Sequence, residues 1–146
     1  IMTNNEYISA YKKTQQSSNA ITSSHEIVRT LMKELVNSMQ KIVLDIQDER
    51  TRKKDQLQVN RDFEEKNAHN RSKNLSKSLS IIYGLQTSLD FDKAMEIANN
   101  LFQLYEYCRQ EIIKGFSQKI EDGIMKAIDI IKQIMEGWEE IPSLNK

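Results

Sequence analysis

Few residues in this chain are equipped for chemistry. Its 146 residues include two histidines, His25 and His69, and one cysteine, Cys108. A structural zinc site draws about four ligands, mostly from Cys and His, and three such residues far apart in sequence do not make one. Neither histidine follows a glutamate at the spacing of the Glu-x-x-His signature of di-iron helical bundles. His25 falls in the first turn of an expected helix and reads as a capping or surface residue. His69 sits in a charged stretch and reads as solvated. Cys108 lies on the apolar side of an expected helix, where a free thiol is a small core hydrophobe. As a nucleophile it would need a neighbouring base and an orienter, and only the two distant histidines are on offer. The carboxylates are scattered among cations on helix faces, the pattern of surface pairs. No catalytic residue, metal site or cofactor is expected, and the chain reads as a non-enzyme.

The elements that would position these residues are helices. Four Gly and one Pro are far below average usage. That excludes a fold of many short strands and tight turns, and the glycines are too dispersed for a phosphate-cradling loop. Lys+Arg and Asp+Glu both number 21, without the basic excess of a nucleic-acid or membrane-surface binder. No apolar run approaches the ~18 residues of a membrane span, and the opening residues lack the apolar core of a signal peptide. A single cysteine cannot form an intrachain disulfide, which suits a reducing compartment. The expectation is a cytoplasmic protein.

Apolar residues then set the helices. Ser23 and Glu26 form a capping-box pair, so helix 1 should start near Ser24. From there Ile27, Val28, Leu31, Met32, Leu35, Met39, Ile42, Val43 and Ile46 recur at three- and four-residue steps. Residues 48–73 are dominated by charge, with a loop expected near 52–60. Helix 2 carries Leu75, Leu79, Ile82, Leu85 and Leu89, with Gly84 inside it. Asp90 or Asp92 should cap helix 3, which runs from Ala94 through Ile113 with Gly115 as its terminator. Helix 4 carries residues from Ile120 to Trp138, and Pro142 lies beyond it. Four amphipathic helices without a credible strand imply an all-α fold, an antiparallel four-helix bundle. Tyr7, Ile8 and Tyr11 stand out in an otherwise polar N-terminal segment. Tyr105 and Tyr107 point about 200° apart on a helix, so one of them should lie at a surface or inter-helix edge.

Several stretches together resemble the FliS family of flagellin export chaperones. Tyr7, Ile8, Ala10 and Tyr11 are similar to its opening tyrosine-containing segment. Residues 23–28 resemble its Ser-Pro-His-Glu-Leu-Ile helix start, with Ser24 in the proline's place. Residues 75–90, ending Ser-Leu-Asp, continue through 96–107 with Asn-Leu-x-x-Leu-Tyr-x-Tyr, a rather specific pairing. Met135, Gly137 and Trp138 resemble the end of the last helix. Met32 and Glu34 stand where the family commonly has Tyr and Gly, and the charged stretch is longer than usual.

The resemblance implies one FliS-like domain over residues 1–146, with a short N-terminal cap at 1–22 and the bundle at 23–141. It implies binding of the disordered C-terminal region of flagellin, 1:1, by a chaperone that is monomeric when client-bound. That binding would block premature polymerisation and assist delivery to the flagellar type III export apparatus. An export gate protein and an anti-sigma factor are further implied partners; nucleic acid and membrane insertion are not. The candidate partner-binding residues are Tyr7, Ile8, Tyr11, Leu79, Ile97, Leu101, Leu104 and Tyr105. The alternative is a helical regulatory adaptor for another flagellar protein, such as an anti-sigma factor.

Overall fold

The structure, a computed structural model, describes residues 24–54 and 61–140. It contains four helices: α1 (Ser24–Lys54), α2 (Arg61–Thr87), α3 (Met95–Gln118) and α4 (Asp122–Glu140). They form an all-α four-helix bundle, a ring in which each helix packs on its chain neighbours and α4 closes back onto α1. Contacts between ends establish the antiparallel sense. Arg29 near the start of α1 pairs with Glu139 near the end of α4, and Arg50 near the end of α1 pairs with Glu121 at the start of α4.

The expected α1 stripe fills the core. Ile27, Leu31, Met32, Leu35, Met39, Ile42, Val43 and Ile46 are all buried, joined by Val36. They meet Ile81, Ile82 and Leu85 from α2, Tyr105, Cys108 and Ile112 from α3, and Ile124, Ala127, Ile128 and Ile131 from α4. The width of the α1 stripe is therefore core; only Val28 sits at its edge.

Three sequence expectations are corrected at the connections. Neither Asp90 nor Asp92 caps α3: the cap position is Ala94, without a side-chain hydrogen bond. Asp90 instead accepts from the backbone N–H of Asp92 and Lys93, at 3.0 and 3.1 Å. Its carboxylate shapes the loop before the helix and is spent before α3 begins. Helix 1 runs to Lys54, past the expected start of the loop. Gly115 does not end α3, which continues to Gln118 and closes at Lys119 in the left-handed region, φ 57°. Gly115 is needed for another reason. A Cβ there would lie 2.6 Å from Ile124 Cγ1 and 2.7 Å from the Ile120 carbonyl. The glycine lets the start of α4 fold tightly back onto α3. The Ser23 half of the capping box lies outside the described residues.

Two unlike clasps hold the ends. At one, the His25 and Trp138 rings stack, centroids 4.9 Å apart and planes 11° from parallel. His25 Nε2 lies 2.7 Å from the Trp138 carbonyl, and Trp138 Nε1 donates to the His25 carbonyl at 2.8 Å. A carbonyl only accepts, so that arrangement requires the proton on Nε2. The His25 ring thereby satisfies one of the last carbonyls of α4, which has no helical partner. Trp138 plugs the bundle end, and His25 is its partner.

At the other end Glu49 receives Arg71 at 2.8 Å, Lys119 at 2.8 Å and Lys53 at 3.2 Å. Burial pushes the Glu49 carboxyl up, but hydrogen bonds from Lys119, Lys53 and Arg71 outweigh it and hold the group at about 2, against an ordinary 4.5. This layer ties α1, α2 and the α3–α4 corner together, and it anchors the strained backbone of Lys119.

Two sets of variants test this packing. Gly115→Ala should destabilise the bundle by about 1–3 kcal/mol through overpacking. Gly137→Ala, whose Cβ would meet nothing within 4 Å, should be neutral or stabilise by up to about 1 kcal/mol. Urea unfolding of both reads the opposite signs. Glu49→Gln should cost about 1–2 kcal/mol at pH 7. Because the folded carboxyl is depressed, its contribution is complete above about 4.5 and is lost as pH falls toward about 2. The gap between wild type and variant should therefore close across that window in pH-dependent unfolding.

Candidate functional site

The sequence expects one face of α3 to serve partners, and its residues divide by burial. Ala98, Tyr105, Cys108, Ile112 and Gly115 take the line facing the core. Tyr105 is 2% exposed, so this candidate contact residue belongs to the core and reaches no partner at the surface. Burial, and then the neighbouring Cys108, raise its phenol well above the ordinary range. Tyr107 is the outward member of the pair, 38% exposed.

The remaining apolar residues of α3 fall on both flanks of that line. On the flank toward α4, Ile97 is 63% exposed and Leu104 38% exposed, with half-buried Leu101 between them. Cys108 Sγ lies 3.8 Å from the Ala127 carbonyl, and Gly115 backs onto Ile124. This antiparallel register puts Leu104 level with Ile130, Leu101 with Ile134, and Ile97 with Trp138. Leu101, Ile130 and Ile134 pack against the core from its edge. The result is a shallow apolar groove along α3 and α4. Tyr107 continues it into an open depression of about 260 Å³ beside Ile120 and Gly123.

On the opposite flank α3 meets α2. Phe102 packs edge-on to Phe91 of the preceding loop, centroids 6.3 Å apart, and the Phe102 carbonyl accepts from Gln86 Nε2 at 3.4 Å. Leu79, half-buried, lies on this side of α2 one turn from exposed Tyr83, and Ile113 is exposed on α3. The structure therefore brings Ile97, Leu101 and Leu104 together and sets Leu79 in a separate cleft. Tyr7, Ile8 and Tyr11 lie outside the described residues.

Sequence reasoning missed Ile130, Ile134, Tyr83 and Ile113 as surface candidates. A signal existed for Ile113: it follows Ile112, and adjacent helical residues point about 100° apart, so one core line cannot take both. Ile130 and Ile134 look like core residues in a heptad-like helix, and only the depth of the α3–α4 seam shows them at its edge.

Of the groups that could do chemistry, Cys108 and His25 are engaged structurally. Burial, with help from Glu111, pushes the Cys108 thiol up to about 12. A thiol held protonated in an apolar core is a poor nucleophile. His25 is stacked on Trp138, and His69 is exposed. Among the described residues no group of three or more His, Cys, Asp or Glu is arranged to hold a metal ion. No described helix is long and apolar enough to cross a membrane.

Comparison with known proteins identifies one family. The family described as flagellar protein FliS matches residues 7–145. The flagellar secretion chaperone FliS of Vibrio cholerae is 26% identical over 136 residues, covering 92% of this chain and 88% of that protein. The Salmonella typhimurium flagellar secretion chaperone FliS is 34% identical over 68 residues, 46% of this chain and 50% of that one. The Pseudomonas aeruginosa flagellar secretion chaperone FliSB is 27% identical over 67 residues, 46% of this chain and 53% of that one. No solved structure matches significantly. A four-helix bundle with surplus apolar surface on α3, matched to one family over nearly its whole length, belongs to the FliS family of flagellar proteins.

Proposed function

We propose that this chain is a cytoplasmic export chaperone for flagellin. It binds the disordered C-terminal region of the client 1:1, as a monomer, and carries no catalytic activity. Covering that region keeps flagellin from polymerising early and presents it to the flagellar type III export apparatus, whose gate protein is the second partner on this reading. The observation that favours it is the apolar run of exposed Ile97 and Leu104 with half-buried Leu101 between them, beside Ile130 and Ile134.

The physics suits a client that must be held and then released. An amphipathic segment can lay its apolar side into such a groove as a helix. Ordering a disordered segment costs about 2–5 kcal/mol, and burying apolar surface returns about 25 cal/mol per Å². A shallow groove extended along a helix offers many modest contacts, so the client binds without a deep pocket that would trap it. Leu79 extends the contact to the α2 side. The segment with Tyr7, Ile8 and Tyr11 covers the groove in the free chaperone and gives way to the client.

Calorimetric titration with a flagellin C-terminal peptide tests the reading. Wild type should bind 1:1. Leu101→Asp with Leu104→Asp should weaken binding about tenfold or more, while Leu44→Asp, on an exposed part of α1, should change nothing. Equal affinity for the groove variant and wild type, with helical circular dichroism intact, would overturn the groove assignment. Removing residues 1–13 should tighten binding if that segment competes with the client; unchanged affinity would sink the competition. Preferential capture of an anti-sigma factor over flagellin would support the adaptor instead.

A further inference from the structure

Arg50 and Glu49 are level with the α3–α4 corner, through Glu121 and Lys119. The residues of α1 after Arg50 and the first ten of α2, 61–70, therefore run past that corner as a two-helix ledge. The sequence marks this stretch only as charged, and the client groove does not use it.

A cavity of about 290 Å³ lies at the base of the ledge. Its floor holds Arg71, 8% exposed; Arg52, Lys53 and Lys119 stand around it, against the carboxylates of Glu49 and Glu64. The Glu49 carboxylate already serves Arg71, Lys119 and Lys53 together, so three cations share one internal anion. The Arg52 guanidinium, whose charge is felt by the Asp45 carboxyl, lies over the Phe63 ring, 4.5 Å from the centroid. With the Asn67 amide turned to face it, Asn67 Oδ1 accepts from Arg52 at 2.9 and 3.2 Å. The walls thus carry more positive than negative charge, with exposed Phe63 and Ala68 alongside. Asp45 and Asp48 lie on the preceding turn of α1, outside the cavity lining. The low carboxyl of Glu49 is consistent with a positive local field.

We propose that this cavity is a docking site for an acidic peptide segment of a protein partner, one carboxylate entering toward Arg71, Lys53 and Lys119 while a neighbouring apolar side chain rests against Phe63 and Ala68. The Ala68 methyl in the lining, with the Phe63 ring at the margin beneath Arg52, is what selects a peptide over a free inorganic anion. The site is at the α3–α4 corner, away from Ile97, Leu101 and Leu104, so it can be filled with the client in place. It stands independently of the flagellin reading.

Nuclear magnetic resonance titration of the full chain tests it. The probes are a short end-blocked peptide of Glu and Leu, its Lys and Leu counterpart, and inorganic phosphate. The acidic peptide should shift amides at 49–53, 64–71 and 119, and raising salt should weaken it, since exposed charges are screened. Arg52→Gln should weaken binding at least tenfold while circular dichroism shows the chain still folded. Glu49→Gln should tighten it severalfold, because the competing internal carboxylate is gone; a purely structural role for Glu49 predicts no gain. Shifts confined to other surfaces, equal binding of the cationic peptide, phosphate binding as tightly as the peptide, or a Glu49→Gln variant that stays helical and binds less would each overturn the proposal.

Discussion

Each helix in a ring of four has two neighbours and one centre, so it can bury an apolar stripe of limited width. Helix α1 fits within that limit: Ile27, Leu31, Leu35, Met39, Ile42 and Ile46 point inward, and Met32, Val36 and Val43 are covered by its neighbours. Helix α3 exceeds it. Once Ala98, Tyr105, Cys108 and Ile112 have taken the core line, Ile97, Leu104 and Ile113 have nowhere to be buried. The surplus follows from geometry, and it gives the bundle a surface that another chain can cover.

A groove of this kind needs rigid walls, and the two ends supply them differently. The His25–Trp138 clasp fastens the start of α1 to the end of α4 by stacking and two reciprocal hydrogen bonds. The Glu49 layer fastens α1 and α2 to the α3–α4 corner through charge. At this charged end Gly115 allows the start of α4 to lie close against α3.

Much of this was legible in the chain. The three- and four-residue spacing of apolar residues predicts the four helices and nearly all of the α1 core, missing two helix ends and leaving Val28 at the edge, because burial and periodicity are the same fact seen twice. The opposed pointing of Tyr105 and Tyr107 also held, and helix geometry alone decided that one must face out. The misses share a cause. Glu49, Arg71 and Lys119 meet from three elements, and no local pattern announces a partner so distant in sequence. Gly115 resembles a terminator because its need is steric and arises from Ile124 and the Ile120 carbonyl, across a turn. Asp90 has the right type for a cap but spends its carboxylate on the loop. Among the α3 candidates, Ile97 and Leu104 lie exposed with Leu101 half-buried between them, whereas Tyr105 is buried, since an aromatic on an apolar helix can serve core or surface until the neighbouring helix is positioned.

The central claim is that the apolar surplus of α3 is where the client lies. Amide hydrogen exchange on the free chain and on its complex with flagellin tests it directly. Exchange in the chaperone should slow along α3 around residues 97–107 and along α4 around 130–134, with α1 little changed. Protection confined to α1, or absent from α3 in a complex that is fully formed, would contradict it.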